Sequence, residues 1–237
     1  RADAHLILSA RNRERLAAVR AATPNPDRVH VLPLDLADHD ALPARAEEAL
    51  ALHGRVDVLV HNAGVGQRSL AAETELHVTR RILDVNVLGP IALTRAVLPS
   101  MRARQDGHLV VVSSVLGVIG AKRRSSYAAS KHALHGYFDS LRAELAHEGI
   151  RVTLICPGYI RTPISEHALT ANGTPHGRVD PGQASGMDPA RCAARMIRAI
   201  EREQREVLIG GWEIGGVWLK RWCPGLLARI LQRMRMD

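Results

Sequence analysis

The chain has 237 residues, 46% hydrophobic and 24% charged, which is enough for one large core, so residues 1–237 are predicted to form a single domain. The net charge of +8 would suit an acidic membrane surface, a phosphorylated cofactor or nucleic acid, but the arginines are dispersed without interleaved aromatic residues, and we expect no nucleic-acid binding. Three cysteines do not make a disulfide framework at this length, which favours a reducing, cytoplasmic compartment.

Hydrophobic periodicity alternates between the strand and helix periods along the chain. Strands are predicted at 6–10, 29–34, 56–60, 108–112, 152–155 and 207–209. Helices are predicted at 14–22, 40–53, 126–147 and 189–203, with a long helical stretch at 75–104 that bends at Gly89-Pro90. This alternation is typical of an α/β fold with a doubly wound parallel sheet.

Tyr127 and Lys131 form a Tyr-x-x-x-Lys pattern on a predicted helix, where four-residue spacing stacks both side chains on one face. A free tyrosine titrates at a pKa of ~10, and an adjacent ammonium would lower that pKa towards the range of efficient acid–base catalysis. Ser114 ends an apolar strand, at the sheet edge where ligands bind in α/β folds. The three residues predict proton transfer at a carbonyl or alcohol. Taken alone, the pattern could be a half-buried tyrosine beside a solvated lysine.

Several motifs occur in the order and approximate spacing of the short-chain dehydrogenase/reductase family, which the chain resembles over nearly its whole length. They are Asn62-Ala63-Gly64, Asn86, Ser114, Tyr127, Lys131 and Pro157-Gly158. The resemblance implies a Rossmann-type fold, a nicotinamide cofactor and no metal ion. It assigns the acid–base role to Tyr127, the nicotinamide ribose to Lys131, and the substrate carbonyl to Ser114. It also implies that Asn86 holds a water molecule of the proton relay.

Some of these residues have other interpretations. Asn86 could occupy a helix irregularity, because asparagine competes for local backbone hydrogen bonds. The resemblance places Asn62, Ala63 and Gly64 at the cofactor, but Asn62 could instead tie neighbouring strands together. His61 stands where the family commonly has asparagine, and we assign it no catalytic role.

The cofactor can be predicted from charge at the end of strand 6–10. An acid at this position binds the ribose hydroxyls of NAD, whereas an arginine accommodates the additional phosphate of NADP. Ala10 replaces the acid, and Arg11 can bind a phosphate through charge-assisted hydrogen bonds, so NADP(H) is expected. Arg11 could also be a solvated residue at a helix start. Asp35 resembles the family's adenine-contacting aspartate, or it could cap the next helix.

The residues after strand 152–155 match the family's Pro-Gly-x-x-x-Thr segment. By resemblance, Pro157-Gly158, the Ile160 backbone and the Thr162 hydroxyl would lie at the nicotinamide, the last two on its carboxamide. The following segment, 163–187, is rich in Gly, His, Thr and Pro. A long loop of this kind is usually functional or mobile, so we expect it to be the substrate lid.

The family's first strand and glycine-rich phosphate loop would precede Arg1, so they are absent from the fold predicted for residues 1–237. Loss of a central strand would expose two unpaired sheet edges and a large apolar surface. We therefore expect the native protein to have this segment.

The 212–237 segment combines Trp and Leu with Arg and Lys, which is typical of an interfacial amphipathic helix. Its interruption at Pro224-Gly225 makes it unsuited to span a bilayer. It could instead close the substrate pocket or pack in a subunit interface. Hydroxysteroid-type and membrane-peripheral members of the family have similar tails, so the resemblance points to a hydrophobic substrate and to peripheral membrane contact.

Together these features predict an NADP(H)-dependent oxidoreductase that interconverts a carbonyl and a secondary alcohol. By resemblance it would form a homodimer or homotetramer through its long helices. Sugar-nucleotide epimerases share the Tyr-x-x-x-Lys pattern, but they usually have a larger carboxyl-terminal domain than the 80 residues after Pro157. The alternative from another class is a non-catalytic NADP-binding scaffold or sensor.

Overall fold

The computed structural model describes residues 4–233, in which helices and parallel strands alternate. The strands are β1 (Leu6–Leu8), β2 (Val29–Val31), β3 (Val58–His61), β4 (Gly107–Val112), β5 (Ile150–Pro157) and β6 (Glu206–Ile209). The helices are α1 (Arg13–Ala21), α2 (Leu42–His53), α3 (Leu76–Leu83), α4 (Gly89–Arg104), α5 (Ser125–Glu144), α6 (Pro181–Ala184), α7 (Pro189–Glu201), α8 (Gly215–Trp222) and α9 (Pro224–Arg233).

The strands form two parallel groups, a four-stranded sheet in the order β3-β4-β5-β6 and a separate β1-β2 pair. The predicted α/β class and parallel pairing are confirmed. The predicted strands 6–10 and 29–34 are too long, because the β1-β2 ladder pairs only three residues of each strand. Apolar residues of β1 and β3 are 44–45% exposed, at Leu6, Val58 and Val60. Among the described residues, these apolar side chains lie on strands at the edges of the two sheets.

The four-stranded sheet is covered on both faces, which explains the continuous apolar run of β4. Alternate side chains of a strand point to opposite faces. Leu109 and Val111 accordingly pack in the cluster formed with α4 and α5, whereas Val110 packs with Cys192 of α7 and Ile209 of β6. Helix α2 joins the first cluster through its Ala46, which connects the segment after β2 to the main sheet.

The long predicted helix at 75–104 is divided by a π-helical turn at Asp84–Leu88. Pro90 has no N–H to donate to the carbonyl four residues before it, so regular α-helical pairing cannot continue here. The predicted bend at Gly89-Pro90 is therefore replaced by a π-helical turn that lies just before this pair. Gly89 is required because a Cβ there would lie 2.3 Å from the carbonyl oxygen of Leu36.

Within the described residues, one helical stretch, Leu76–Arg104, is long and apolar enough to cross a membrane by length and composition. One face of the stretch belongs to the interior, since Val78, Ile82, Val97 and Met101 are at most 2% exposed. A helix that packs one face in the core of a protein passes the same test of composition, so the length and composition of this stretch are weak evidence for a membrane span.

Phe138 is the sole phenylalanine of the chain and is fully buried in the cluster between α5 and the sheet. We expect Phe138→Ala to lower the free energy of unfolding by about 3–5 kcal/mol, because a large cavity is left in the core. Denaturant unfolding measures this change. Val19→Ala, at a position that is 52% exposed, should cost less than about 0.5 kcal/mol, and equal losses would contradict the packing.

Candidate active site

The predicted catalytic residues converge at the carboxyl ends of β4 and β5. Ser114 follows β4, Pro157 ends β5, and Tyr127 and Lys131 lie on α5, which packs across β4. The Ser114 hydroxyl accepts a hydrogen bond from the Leu116 N–H at 3.1 Å and donates to the Pro157 carbonyl at 3.4 Å. Parallel strands place their carboxyl ends at one edge, which brings these distant residues together.

Tyr127 is half-buried, and the Ser114 hydroxyl is close enough to its phenol to favour the phenolate. Burial raises the pKa of Tyr127 above its ordinary value, because the phenolate loses solvation. The Ser114 hydrogen bond and the positive charges of Arg68 and Arg124 oppose this rise without cancelling it. The pKa therefore moves in the opposite direction to the one expected from the sequence, and the tyrosine is protonated at neutral pH.

Lys131 is 4% exposed, and its Nζ donates to the Val112 carbonyl at 2.9 Å. The ammonium lies 5.8 Å from the centroid of the Tyr127 ring, so the predicted proximity of the two side chains is observed. Burial lowers the pKa of Lys131 to about 8. An ammonium has three donors. Among the described residues it donates only to Val112, which leaves donors for other oxygen ligands such as ribose hydroxyls.

Asn86 lies in the π-helical turn and is 1% exposed. Its side chain exchanges two hydrogen bonds with the Val65 backbone, at 2.8 and 3.0 Å, and donates to Ser130 Oγ at 2.9 Å. A Cβ at Gly64 would lie 3.3 Å from Asn86 Oδ1 and 3.5 Å from Lys131 Nζ. Asn86 therefore occupies a helix irregularity and also borders the site. Its role in holding a water molecule stays a prediction.

Asn62 and Ala63 lie exposed at the end of β3. Because β3 is an edge strand of its sheet, the described residues offer Asn62 no second strand to join, and the alternative strand-tying role is not observed. His61 is buried and its Nε2 lies 2.7 Å from Thr94 Oγ1. Burial lowers the pKa of His61 to about 4, so this histidine is a neutral residue of the core.

Arg11 and Asp35 line one surface pocket of about 300 Å³, together with Asp38 and Arg45. Burial raises the pKa of Asp35, but the hydrogen bond from the Ala37 N–H and the charges of Arg81 and Arg11 outweigh it and keep the pKa below normal. The Asp35 carboxylate therefore stabilises the local turn at Ala37. It does not cap α2, which begins seven residues later at Leu42. The pocket thus carries two arginines and two aspartates, and Arg45 is already paired with Glu48 at 2.7 Å.

The Pro157-Gly158 segment leads into a loop that runs beside 163–187. The Gly158 N–H donates to the Ile209 carbonyl at 2.8 Å, and Ile160 forms a parallel bridge with Met187. The Thr162 hydroxyl lies 3.4 Å from the Ile160 carbonyl, within its own loop. Their predicted contact with a carboxamide therefore stays a prediction.

Sequence reasoning missed two residues that build this region. Glu213 accepts hydrogen bonds from the backbone N–H groups of Tyr159 and Gly211, at 2.9 and 3.1 Å. Gln67 is fully buried, and its Oε1 accepts from the N–H groups of Ser126 and Tyr127 at 2.7 and 3.3 Å. Gln67 thus caps the helix that carries the tyrosine. No sequence motif marks either residue, because both contacts join distant parts of the chain.

The 163–187 segment is hydrogen-bonded to the loop that follows β3. Its Leu169 donates to the Gly66 carbonyl at 2.9 Å and accepts from the Arg68 N–H at 2.8 Å. Asp180 of the segment pairs with the Arg68 and Arg124 side chains, and its backbone N–H donates to the buried Ser165 hydroxyl at 3.1 Å. These contacts place the segment beside the helix start that carries Tyr127.

A family model described as short chain dehydrogenase matches residues 1–172. The chain belongs to this family. Relatives agree, since "Dehydrogenase/reductase SDR family protein 7-like" of Anopheles gambiae is 38% identical over 98% of this chain and 75% of that protein. "Dehydrogenase/reductase SDR family member 7B" of Xenopus laevis is 39% identical over 97% of this chain and 74% of its own length.

Solved structures show the same architecture. A short-chain dehydrogenase from Streptomyces avermitilis superposes with a TM-score of 0.79 at 32% identity, over 95% of this chain and 86% of that one. A structure named "ElxO with NADP Bound" gives a TM-score of 0.64 at 26% identity, over 67% and 65% of the two chains. Short-chain dehydrogenases are oxidoreductases with a Rossmann-type fold that use NAD(P), so the predicted family and fold are confirmed.

Proposed function

We propose that this short-chain dehydrogenase interconverts a carbonyl and a secondary alcohol with NADP(H). The observation that carries the proposal is the convergence of Ser114, Tyr127 and Lys131 at one end of the sheet, with the Lys131 ammonium 5.8 Å from the centroid of the Tyr127 ring. A non-catalytic scaffold has no chemical need for a serine, a phenol and a buried ammonium at one point. The arrangement therefore supports catalysis over cofactor sensing alone.

The proposed chemistry follows from these side chains. When bound, the nicotinamide supplies or accepts the hydride. The phenol of Tyr127 donates a proton to the carbonyl oxygen in reduction and removes it in oxidation. Ser114, within hydrogen-bonding reach of the phenol, holds the same oxygen in place. Lys131 binds the ribose hydroxyls with the N–H donors that it does not use on Val112. Asn86, which lies close to Lys131, accepts a hydrogen bond from the Val65 N–H in the loop after β3.

Tyr127→Phe tests the acid–base assignment. The variant retains the ring and should fold and bind cofactor, but we expect turnover to fall roughly 100-fold or more because the proton donor is lost. The assay is NADPH oxidation against a panel of lipophilic ketones. Tyr137→Phe, on the same helix, is the matched control and should remain active. Undiminished turnover in Tyr127→Phe would refute the assignment, and a wild-type protein that binds NADPH without turnover would support the scaffold.

The preference for NADP(H) is proposed from Arg11 and the pocket it lines with Asp35 and Arg45. Ala10 offers no carboxylate to the ribose hydroxyls, and Arg11 beside it offers a guanidinium to the additional phosphate. Asp35 is proposed to contact the adenine, since its carboxylate is held in this pocket by the Ala37 N–H.

Arg11→Gln should weaken NADPH binding about tenfold or more while leaving NADH binding unchanged, because a charge-assisted hydrogen bond to phosphate contributes about 1.5–3 kcal/mol. Fluorescence titration of both cofactors measures the two dissociation constants. Arg13→Gln removes the same charge from an exposed position in α1 and should leave the selectivity intact. Equal weakening of both cofactors by Arg11→Gln would contradict the NADP assignment.

We propose a hydrophobic substrate because one side of the site is apolar. The turn after Ser114 carries Val115 and Ile119, which pack against Leu227 of α9. This contact supports the proposal that α8 and α9 border the substrate region and close the pocket. The 163–187 segment is proposed as the lid on the other side, since Asp180 holds it against the start of α5.

The outer surface of α8 supports peripheral membrane contact. Trp218 and Trp222 lie four residues apart on one helical face and are 59% and 75% exposed. Arg221 of α8 and Arg229 of α9 are also exposed. Tryptophan together with basic side chains favours binding to a surface of anionic lipid. Residues 234–237 of the predicted 212–237 segment lie outside the described residues. We propose a cytoplasmic protein that touches a membrane through this surface.

The double variant Trp218→Gln/Trp222→Gln should reduce co-sedimentation with anionic phospholipid vesicles roughly tenfold or more, since two indoles no longer enter the interface. Leu76→Gln/Ile197→Gln is the matched control, because these residues are 63% and 54% exposed on other helices. Unchanged co-sedimentation of the tryptophan variant, or the same loss in both, would rule out this surface as the contact.

We propose a homodimer or homotetramer that assembles through the outer faces of α4 and α5. Leu88 at the start of α4 is 46% exposed, and a Cβ at Gly136 of α5 would meet no atom, so both helices offer small or apolar contact surface. Light scattering of the purified protein measures the assembly.

A further inference from the structure

Two buried arginines share one carboxylate beside the candidate site. Arg68 and Arg124 are 9% and 8% exposed, and both donate to the same oxygen, Oδ2 of Asp180. Arg124 reaches it at 2.8 Å. One arginine would neutralise Asp180, so the second leaves an excess positive charge in a desolvated position. A buried positive charge of this kind lowers the stability of the fold unless a nearby anion compensates it, and such charges are common where a functional group needs its pKa shifted.

The excess charge lies at the start of α5, the helix that carries Tyr127, because Arg124 is the N-cap residue of that helix. Arg124 precedes the tyrosine by one helical turn, and Arg68 follows Gln67, whose side chain caps the N–H groups of Ser126 and Tyr127. The positive charges of both arginines lower the pKa of Tyr127 against the larger effect of burial. Lys131, by contrast, directs its ammonium to the Val112 carbonyl.

The other charged and titratable groups around the cluster do not neutralise it. His176 Nε2 lies 3.8 Å from Asp180 Oδ1. Burial holds the pKa of His176 below its ordinary value, Asp180 opposes this effect and the nearby arginines add to it, so the histidine is neutral at pH 7. Arg123 and Arg178 add further positive charge around the cluster. Arg68 Nε has no hydrogen-bond partner among the described residues.

We propose that Arg68 and Arg124, held together by Asp180 of the 163–187 segment, supply the positive field that favours the phenolate of Tyr127. The inference rests on the proposed function of Tyr127 as the acid–base. The two arginines act through the tyrosine rather than on the substrate. Asp180 prevents the guanidinium groups from repelling each other, so the docking of the 163–187 segment assembles the field.

Arg68→Gln and Arg124→Gln test the proposal separately. Each single variant leaves one arginine to pair with Asp180, so the carboxylate remains paired and the fold should persist. Each should raise the pKa of Tyr127 by about 0.5–1 unit, because a nearby positive charge is removed. The readout is ultraviolet tyrosinate absorbance against pH, taken as the difference from the same variant carrying Tyr127→Phe, and it requires neither cofactor nor substrate.

Two controls isolate the charge. Arg124→Lys keeps it and should restore most of the wild-type value. Arg161→Gln removes an arginine that pairs with Asp188 at 2.9 Å on the exposed surface, and it should not move the pKa of Tyr127. Circular dichroism confirms that the variants are folded. In oxidation, the rising limb of kcat/KM against pH should shift upward by the same amount as the absorbance titration.

A pKa of Tyr127 that is unchanged in both glutamine variants, or that moves equally in Arg161→Gln, would overturn the proposal. That outcome leaves the proposed function untouched if Tyr127→Phe is inactive. Conversely, full activity of Tyr127→Phe would refute the acid–base role even if the arginines shift the absorbance titration. A purely structural role for the cluster predicts lower stability without any shift of the phenol.

Discussion

The packing of α5 across the parallel pair β4-β5 is the constraint on which the candidate site depends. Phe138, Leu134 and Leu141 bury one face of the helix against the sheet, and this fixes both the rotation and the height of its first turns. Tyr127 and Lys131 then fall beside the carboxyl end of β4, where Ser114 leaves the strand. Local spacing aligns the tyrosine and the lysine, but only this packing delivers them to the serine.

Buried polar groups fix the remaining geometry. The N–H groups at the start of α5 have no hydrogen-bond partners within the helix. The Gln67 side chain accepts hydrogen bonds from two of them, although Gln67 precedes Ser126, the nearer of its two partners, by 59 residues. Asn86 similarly ties the residues after β3 to Ser130 of α5. Because unsatisfied polar groups are costly in the interior, these contacts hold the site in one arrangement. They also connect the 163–187 segment to the tyrosine through Arg68.

The electrostatics of the site differ from those expected from a tyrosine and lysine pair. Burial acts on both groups in opposite directions, raising the pKa of the phenol and lowering that of the ammonium. Each effect disfavours the charged form. The charges that oppose the effect on Tyr127 come from Arg68 and Arg124, which stand outside the family motif. A neutral phenol in a desolvated site is suited to donate a proton to a carbonyl oxygen.

The sequence by itself determined the α/β class, most helices and strands, and the family, because hydrophobic periods and motif spacings are local properties of the chain. It could not place the ends of β1 and β2, the π-helical turn before Pro90, or the exposure of Asn62, since these depend on which strands and helices pair. Gln67, Glu213, Arg68 and Asp180 likewise became site residues only through contacts between distant segments. The direction of the Tyr127 pKa shift was decided by the tertiary structure alone, because burial and distant charges act through space and leave no pattern in the order of residues.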